Sequence, residues 1–157
     1  MSTKKSAAPG NIAVNRKARH DYSFEAHYEA GIVLQGWEVK GIREGRVQLS
    51  ESHVIFRKGE AFLLNCHISP TKNVSTHITP EDARTRKLLL NRRELSKLSG
   101  QVSKEGYTVV PLSMYWKKGH VKIEIALAKG KKMHDKRADA KDKDWARQKE
   151  RLMKKHV

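Results

Sequence analysis

Residues 107–127 read YTVVPLSMYWKKGHVKIEIAL, and their period decides the fold. Val121, Ile123, Ile125 and Leu127 alternate with Lys122, Glu124 and Ala126, which puts the apolar set on one face of a strand. Just upstream, 107–116 is rich in β-branched and aromatic residues, and Lys117-Lys118-Gly119-His120 supplies a glycine-containing turn, so the two runs form an antiparallel hairpin. Pro111 lacks an amide donor and marks an edge or a bulge. A second hairpin follows the same logic: 53–56, a turn through Arg57-Lys58-Gly59-Glu60, then 61–68. Two further extended segments are expected at 21–28 and 37–43, with Gly41 and Gly45 as bulge or turn points. About six short strands between glycine turns predict a mainly β protein with some helix. The natural arrangement is a small closed or nearly closed antiparallel barrel, because closure removes exposed strand edges.

One segment breaks the strand pattern. Thr79 suits a helix cap, Pro80 the first helical position, Glu81 and Asp82 the positive end of the helix, and Gly100 its stop. Between them Leu88, Leu95 and Leu98 recur at helical spacing, while Arg84, Arg86, Lys87, Arg92 and Arg93 face elsewhere. The expectation is one helix over 79–100, or two in succession, laid on the barrel by its leucine stripe. A short helix over 29–35 is a further candidate.

Charge divides the chain more sharply than hydropathy does. Of a formal net charge of +16 over 157 residues, the last 29 carry twelve Lys or Arg against five Asp or Glu, and the first 19 carry five basic residues and no acid. The chain reads as a nearly balanced body between two basic ends, a distribution suited to gripping a polyanion by its phosphates. Residues 1–10 are expected to be a flexible arm, 11–128 an RNA-binding barrel domain and 129–157 a basic tail. In the tail, Ala138, Trp145 and Leu152 recur every seven residues, and Asp139–Lys143 and Glu150–Lys154 are favourable i,i+4 pairs. That stripe is too narrow to offset an ordering cost of about 1–2 kcal/mol per residue, so the tail is expected to be unstructured alone and helical against a charged surface.

Several classes of chemistry find no support. A lone Cys66 forms no intrachain disulfide or Cys-based zinc site, and in an apolar run it reads as a small buried hydrophobe. No uncharged stretch approaches the roughly 20 residues that cross a bilayer, so the protein is expected in the cytoplasm with no membrane partner. There is no glycine-rich phosphate loop, no GxSxG elbow, no HExxH and no carboxylate cluster with metal-ligand spacing. His20, His53, His67, His77, His120 and His134 are scattered, which disfavours a paired-histidine nuclease. No cofactor, no metal and no catalysis are expected.

Five strings then resemble one family: NRKARHDY at 15–22, EAGIVLQGWEVKGIREG at 29–45, TRKLLLNRREL at 85–95, EGYTVVPLSMYWKKGHVKIEIALAKGKKMHDKR at 105–137, and the basic tail. In order and over nearly the whole chain they are similar to small protein B, the bacterial SsrA-binding proteins. That resemblance implies a six-stranded antiparallel barrel of oligonucleotide-binding type with about three helices. It implies binding to the tRNA-like domain of transfer-messenger RNA and entry into the A site of ribosomes stalled on messages without a stop codon. The resemblance further implies delivery with elongation factor Tu and GTP, and a monomer is expected. Rival readings are a ribosomal or general RNA-binding protein, an RNA chaperone, or a nuclease.

Carried over position by position, the resemblance puts Asn15, Glu29, Leu89 and Asn91 on the RNA-binding face. An Asn amide pairs with base edges or sugar hydroxyls, and one leucine of the run 88–90 must face outward. A carboxylate at Glu29 is repelled by phosphate unless it accepts base amino groups or holds a basic side chain in place; without the resemblance, an ion pair to the basic arm is the expected role. Arg16, Lys17, Arg19 and His20 are candidates for phosphate contact, against the plainer reading of a solvated basic loop. In the tail, Gly130, Lys131, Lys132, His134, Asp135, Lys136 and Arg137 match the family element that the resemblance assigns to the ribosomal decoding centre. Trp145, Leu152 and Met153 would supply the apolar contacts of a helix in the empty message channel, and Gly130 a hinge where the last strand ends.

Overall fold

Two hairpins with the same turn organise the protein. In the computed structural model, which describes residues 10–71, 80–104, 106–131 and Arg147, strand β8 (Tyr107–Lys117) turns into β9 (His120–Gly130) through Lys118 and Gly119 at φ 51° and 78°. Strand β4 (His53–Arg57) turns into β5 (Glu60–Leu64) through Lys58 and Gly59 at φ 51° and 74°. Two consecutive left-handed residues match the twist of the flanking strands, and glycine at the second carries no steric cost there. Strands β2 (Tyr22–Ile32) and β7 (Arg86–Leu89) complete a ring in which each strand is antiparallel to both neighbours. The order is β8-β4-β5-β7-β2-β9, and β8 pairs with β9 to close it. A short β1 (Asn11–Val14) adds to β8, and β3 (Val47–Gln48) pairs with β6 (His67–Ile68) as a separate ribbon. The expected mainly β, six-stranded closed architecture is therefore present, with the register of β8 and β9 slipping between Pro111 and Ser113 where the proline removes a donor.

The interior holds Val54, Leu63, Leu88, Val109, Met114, Ile123, Ile125 and Leu127, each at most 3% exposed. Burying each such side chain is worth about 1.5–3 kcal/mol. Helix α2 (Gly36–Arg43) adds Trp37 and Ile42, and α3 (Arg92–Val102) inserts Leu98. A second, smaller cluster lies outside the ring, where α1 (Arg16–Asp21) sets Ala18 against Val110, Leu112, Ala126 and Ala128 beside Tyr22 and Phe24. Cys66 is fully buried, as its apolar surroundings in sequence implied, and burial pushes its thiol pKa up to about 11. Among the described residues no helix is long and apolar enough to cross a membrane.

Four expected elements are different. The strand expected over 61–68 stops at Leu64, where Asn65 turns left-handed at φ 59°, and His67–Ile68 joins the separate ribbon with β3. Residues 37–43 form a helix rather than a strand, because Trp37, Glu38, Gly41 and Ile42 are the buried positions, a helical and not an alternating set. Residues 29–32 continue β2 instead of starting a helix. The helix expected over 79–100 starts only at Arg92, capped by Asn91, and runs through Gly100 to Val102, while 86–89 is a strand with Arg86 and Leu88 facing in. Thr79 lies outside the described residues. The six-membered count survived because β7 takes the place given to 37–43.

A buried ion cluster explains why the chain before β7 is not helical. Glu38, fully buried, accepts from Arg86 Nε at 2.6 Å, from Arg84 Nη2 at 2.6 Å and from the Gln35 backbone N–H at 2.7 Å. Arg86, also fully buried, donates further to the carbonyls of Cys66 (2.6 Å), Asp82 (3.0 Å) and Arg84 (3.1 Å). Carbonyls that a helix would use internally are committed to a guanidinium. Burial raises the Glu38 pKa, but hydrogen bonds from Arg84, Gln35 and Arg86 and the Arg86 charge outweigh it and hold the carboxyl below its ordinary 4.5. The cluster ties α2 to β7 and so fixes the position of the residues that follow.

Candidate nucleic-acid interface

Those residues open the first surface. Alternation along β7 turns Leu88 inward and Leu89 outward at 52% exposure. Leu89 stands opposite Gly31 of β2, whose missing Cβ would lie 3.3 Å from the Leu89 Cβ, so glycine lets the leucine lie against the strand. Two residues on, Asn91 caps α3: its Oδ1 accepts from the Glu94 backbone N–H at 2.8 Å, and the Asn91 N–H donates to Glu94 Oε1 at 3.3 Å. The Asn91 Nδ2 group has no partner among the described residues and faces solvent.

Glu29 lies on the same outward face, two positions from Gly31. Its carboxylate accepts from the Tyr115 hydroxyl at 2.5 Å and from Lys117 Nζ at 3.2 Å. The Tyr115 hydrogen bond, working against partial desolvation and aided by Lys117, lowers the Glu29 pKa. The ion pair expected with the basic N-terminal arm is thus made with β8 instead, and the acid holds a tyrosine and a lysine at the patch. Val33, 44% exposed, extends the apolar part of this face beside Lys87. Sequence reasoning missed it, although the parity of 29 and 31, carried one step past the end of β2, reaches 33.

The second surface gathers around α1. Asn15 does not face outward; it is 2% exposed and locked under the helix. Its Oδ1 accepts from the Ala18 N–H at 3.1 Å, while Nδ2 donates to the carbonyls of Pro111 (2.9 Å) and Leu49 (3.2 Å), so both amide hydrogens are spent on the fold. Arg16, Lys17, Arg19 and His20 are exposed on α1. Lys17 is neutralised by Glu51 at 2.6 Å, which raises its pKa first through the hydrogen bond and then through charge, and His20 lies 3.0 Å from Asp21. The acid that offsets Lys17 is 34 positions away, beyond the reach of a local reading. Arg16 and Arg19 keep their charge without a carboxylate partner among the described residues.

The chain leaves the barrel beside this helix. Gly130 is the last residue of β9, paired with Tyr22, and acts there as a strand residue. Lys131 donates from its backbone to Asp21 O at 2.9 Å and from Nζ to Arg19 O at 3.1 Å, a cation at the negative end of α1. Lys132, His134, Asp135, Lys136, Arg137, Trp145, Leu152 and Met153 lie outside the described residues. The site residues therefore fall into two groups, Glu29, Leu89 and Asn91 at one end of β2 and Arg16, Lys17, Arg19, His20 and Lys131 at the other. An 11-residue strand separates its ends by roughly 30 Å at about 3.3 Å per residue.

Among the described residues no three or more His, Cys, Asp or Glu come together as metal ligands. A closed antiparallel ring that carries a basic helix at one end and an exposed leucine flanked by Asn and Lys side chains at the other defines an RNA-binding barrel protein. The family model described as "SmpB protein" matches residues 12–155, and the chain belongs to that family. It is also similar to a solved structure described as "tmRNA-SmpB: a journey to the center of the bacterial ribosome", at 43% identity and a TM-score of 0.66, over 80% of this chain and 87% of that one.

Proposed function

We propose that this chain binds the tRNA-like domain of transfer-messenger RNA and brings it to the A site of stalled ribosomes, so that the unfinished protein is tagged. The observation that carries the reading is family membership over residues 12–155, joined to likeness with a protein described together with that RNA and the bacterial ribosome. Glu29, Leu89 and Asn91 take the RNA: the leucine packs on an unstacked base, the free Asn91 amide reads a base edge or ribose, and Lys117, held by Glu29, meets phosphate. Arg16 and Arg19 hold phosphates at the other end, and Asn15 fixes the helix that presents them. Residues 129–157 enter the decoding centre and message channel. The chain works in the cytoplasm and binds without catalysing.

Co-purification with RNA from the native cell tests this. Transfer-messenger RNA should be enriched over ordinary tRNA, which would also exclude a general RNA chaperone. Recovery of mixed RNA with no enriched transcript overturns the proposal.

A further inference from the structure

Beside the Leu89 patch lies a groove of about 860 Å³ between the β4–β5 turn, β7 and one face of α3. That volume falls in the range of roughly 300–1,000 Å³ typical of sites for small organic ligands. Its floor is apolar: Phe56, Leu90 and Leu95 are half-buried and left open on this side. Arg92, Leu95, Ser96 and Ser99 line one wall at i, i+3, i+4 and i+7, a single stripe of α3. The rim carries Lys58, Lys87 and Arg92 against one acid, Glu60, which pairs with Lys87 at 2.8 Å. Lys58 and Arg92 have no carboxylate partner among the described residues.

From this geometry we infer that the groove receives one unpaired nucleotide of the bound RNA, its base against Phe56 and Leu95 and its phosphate between Lys58 and Arg92. This rests on the RNA-binding reading above and names a subsite for it. A half-buried aromatic stacks on a base without regard to sequence, and two unneutralised cations suit the phosphodiester joined to it. The chain's own strongly basic tail is a poor occupant for a basic rim. Leu89 lines both the patch and the groove, so an RNA seated on the first reaches the second without a gap. Ser96 and Ser99 offer exposed hydroxyls where a ribose would lie.

The test uses the full-length chain and a transfer-messenger RNA transcript containing 4-thiouridine. Irradiation should crosslink the RNA to the peptides holding Phe56 and Lys58 or residues 92–99. Arg92→Glu should weaken RNA binding about tenfold or more, as expected for loss of one stacked nucleotide, and it puts an acid at the positive start of α3, where it does not destabilise the helix. Arg93→Glu, the same charge change outside the groove, should weaken binding by no more than about threefold. Ser96→Trp, which fills the groove from an exposed position, should abolish those crosslinks with melting unchanged. Crosslinks confined to other peptides, equal effects of the two arginine variants, or full affinity in Ser96→Trp overturn the groove while leaving the function intact. An acidic peptide or a second copy of the chain occupying the groove, seen as competition with RNA or as a dimer by light scattering, overturns it as well. Failure of the wild-type chain to retain the transcript overturns both readings.

Discussion

Replacing Glu38 by Gln leaves Arg86 fully buried without its anion, and breaking such a pair costs about 3–5 kcal/mol; urea denaturation should show the loss as a lower midpoint. Because the folded Glu38 pKa is depressed, its contribution is present above the ordinary value of 4.5 and disappears as pH falls through the lowered value. Wild type should therefore lose stability on acidification below about pH 4.5, and Glu38→Gln should lose less over the same window. Cys66, with its thiol pushed up to about 11 and no exposure, should resist a thiol reagent at neutral pH until denaturant is added. Asn15→Ala removes a helix cap and the side-chain donor to the Pro111 carbonyl, while the Leu49 carbonyl keeps its bonds from Ser52, at about 2–4 kcal/mol. Leu89→Ala, at an exposed position, should leave melting unchanged and weaken RNA binding. The contrast shows what a sequence displays at this scale. The run of three leucines announces that one must point out, whereas the partners of Asn15, Leu49 and Pro111, are 34 and 96 positions away.

Among elements, the hairpins were readable because a Lys-Gly pair between alternating runs states both the turn and the register. Helix α2 was not, because its buried acid Glu38 hides the helical stripe, and an apparent strand of 37–43 alternates as well by eye. The long helix expected over 79–100 failed for a different reason: Leu88 fits both a strand and a helix pattern, and only the buried Arg86 decides between them. Two glycines separate packing from propensity. Gly100 lies inside α3 with nothing within 4 Å of an added Cβ, so Gly100→Ala should stabilise by about 0.5–1 kcal/mol in thermal melting. Gly41 lies in α2 with an added Cβ only 2.5 Å from Ser69 O, so the same substitution there should destabilise by about 1–3 kcal/mol despite better helix propensity.

For the molecule as a whole, most positive charge sits in the ends, with twelve basic residues in the last 29 and five in the first 19. Removing residues 132–157 should leave transfer-messenger RNA binding near wild type in a filter assay while abolishing tagging on stalled ribosomes. Loss of both would show that the barrel and the tail do not divide the work. The logarithm of affinity should fall with the logarithm of salt at a slope of about 0.7–0.9 per phosphate neutralised, and the truncation should leave that slope largely in place. Charge asymmetry made the partner class legible, and the resemblance named the RNA. The pairing of each cation was hidden, since Glu51 offsets Lys17 and Glu29 positions Lys117 only in three dimensions. Strand β2 gives the arrangement its metric. Running from the root of the tail to Gly31 beneath Leu89, with one register slip between Phe24 and Ala26, it is a stiff spacer rather than a tether. Cargo clasped at one end therefore has a set offset from the point where the tail departs, as the two jaws of a locked caliper do, and a residue inserted within β2 would miscalibrate that offset without touching either jaw.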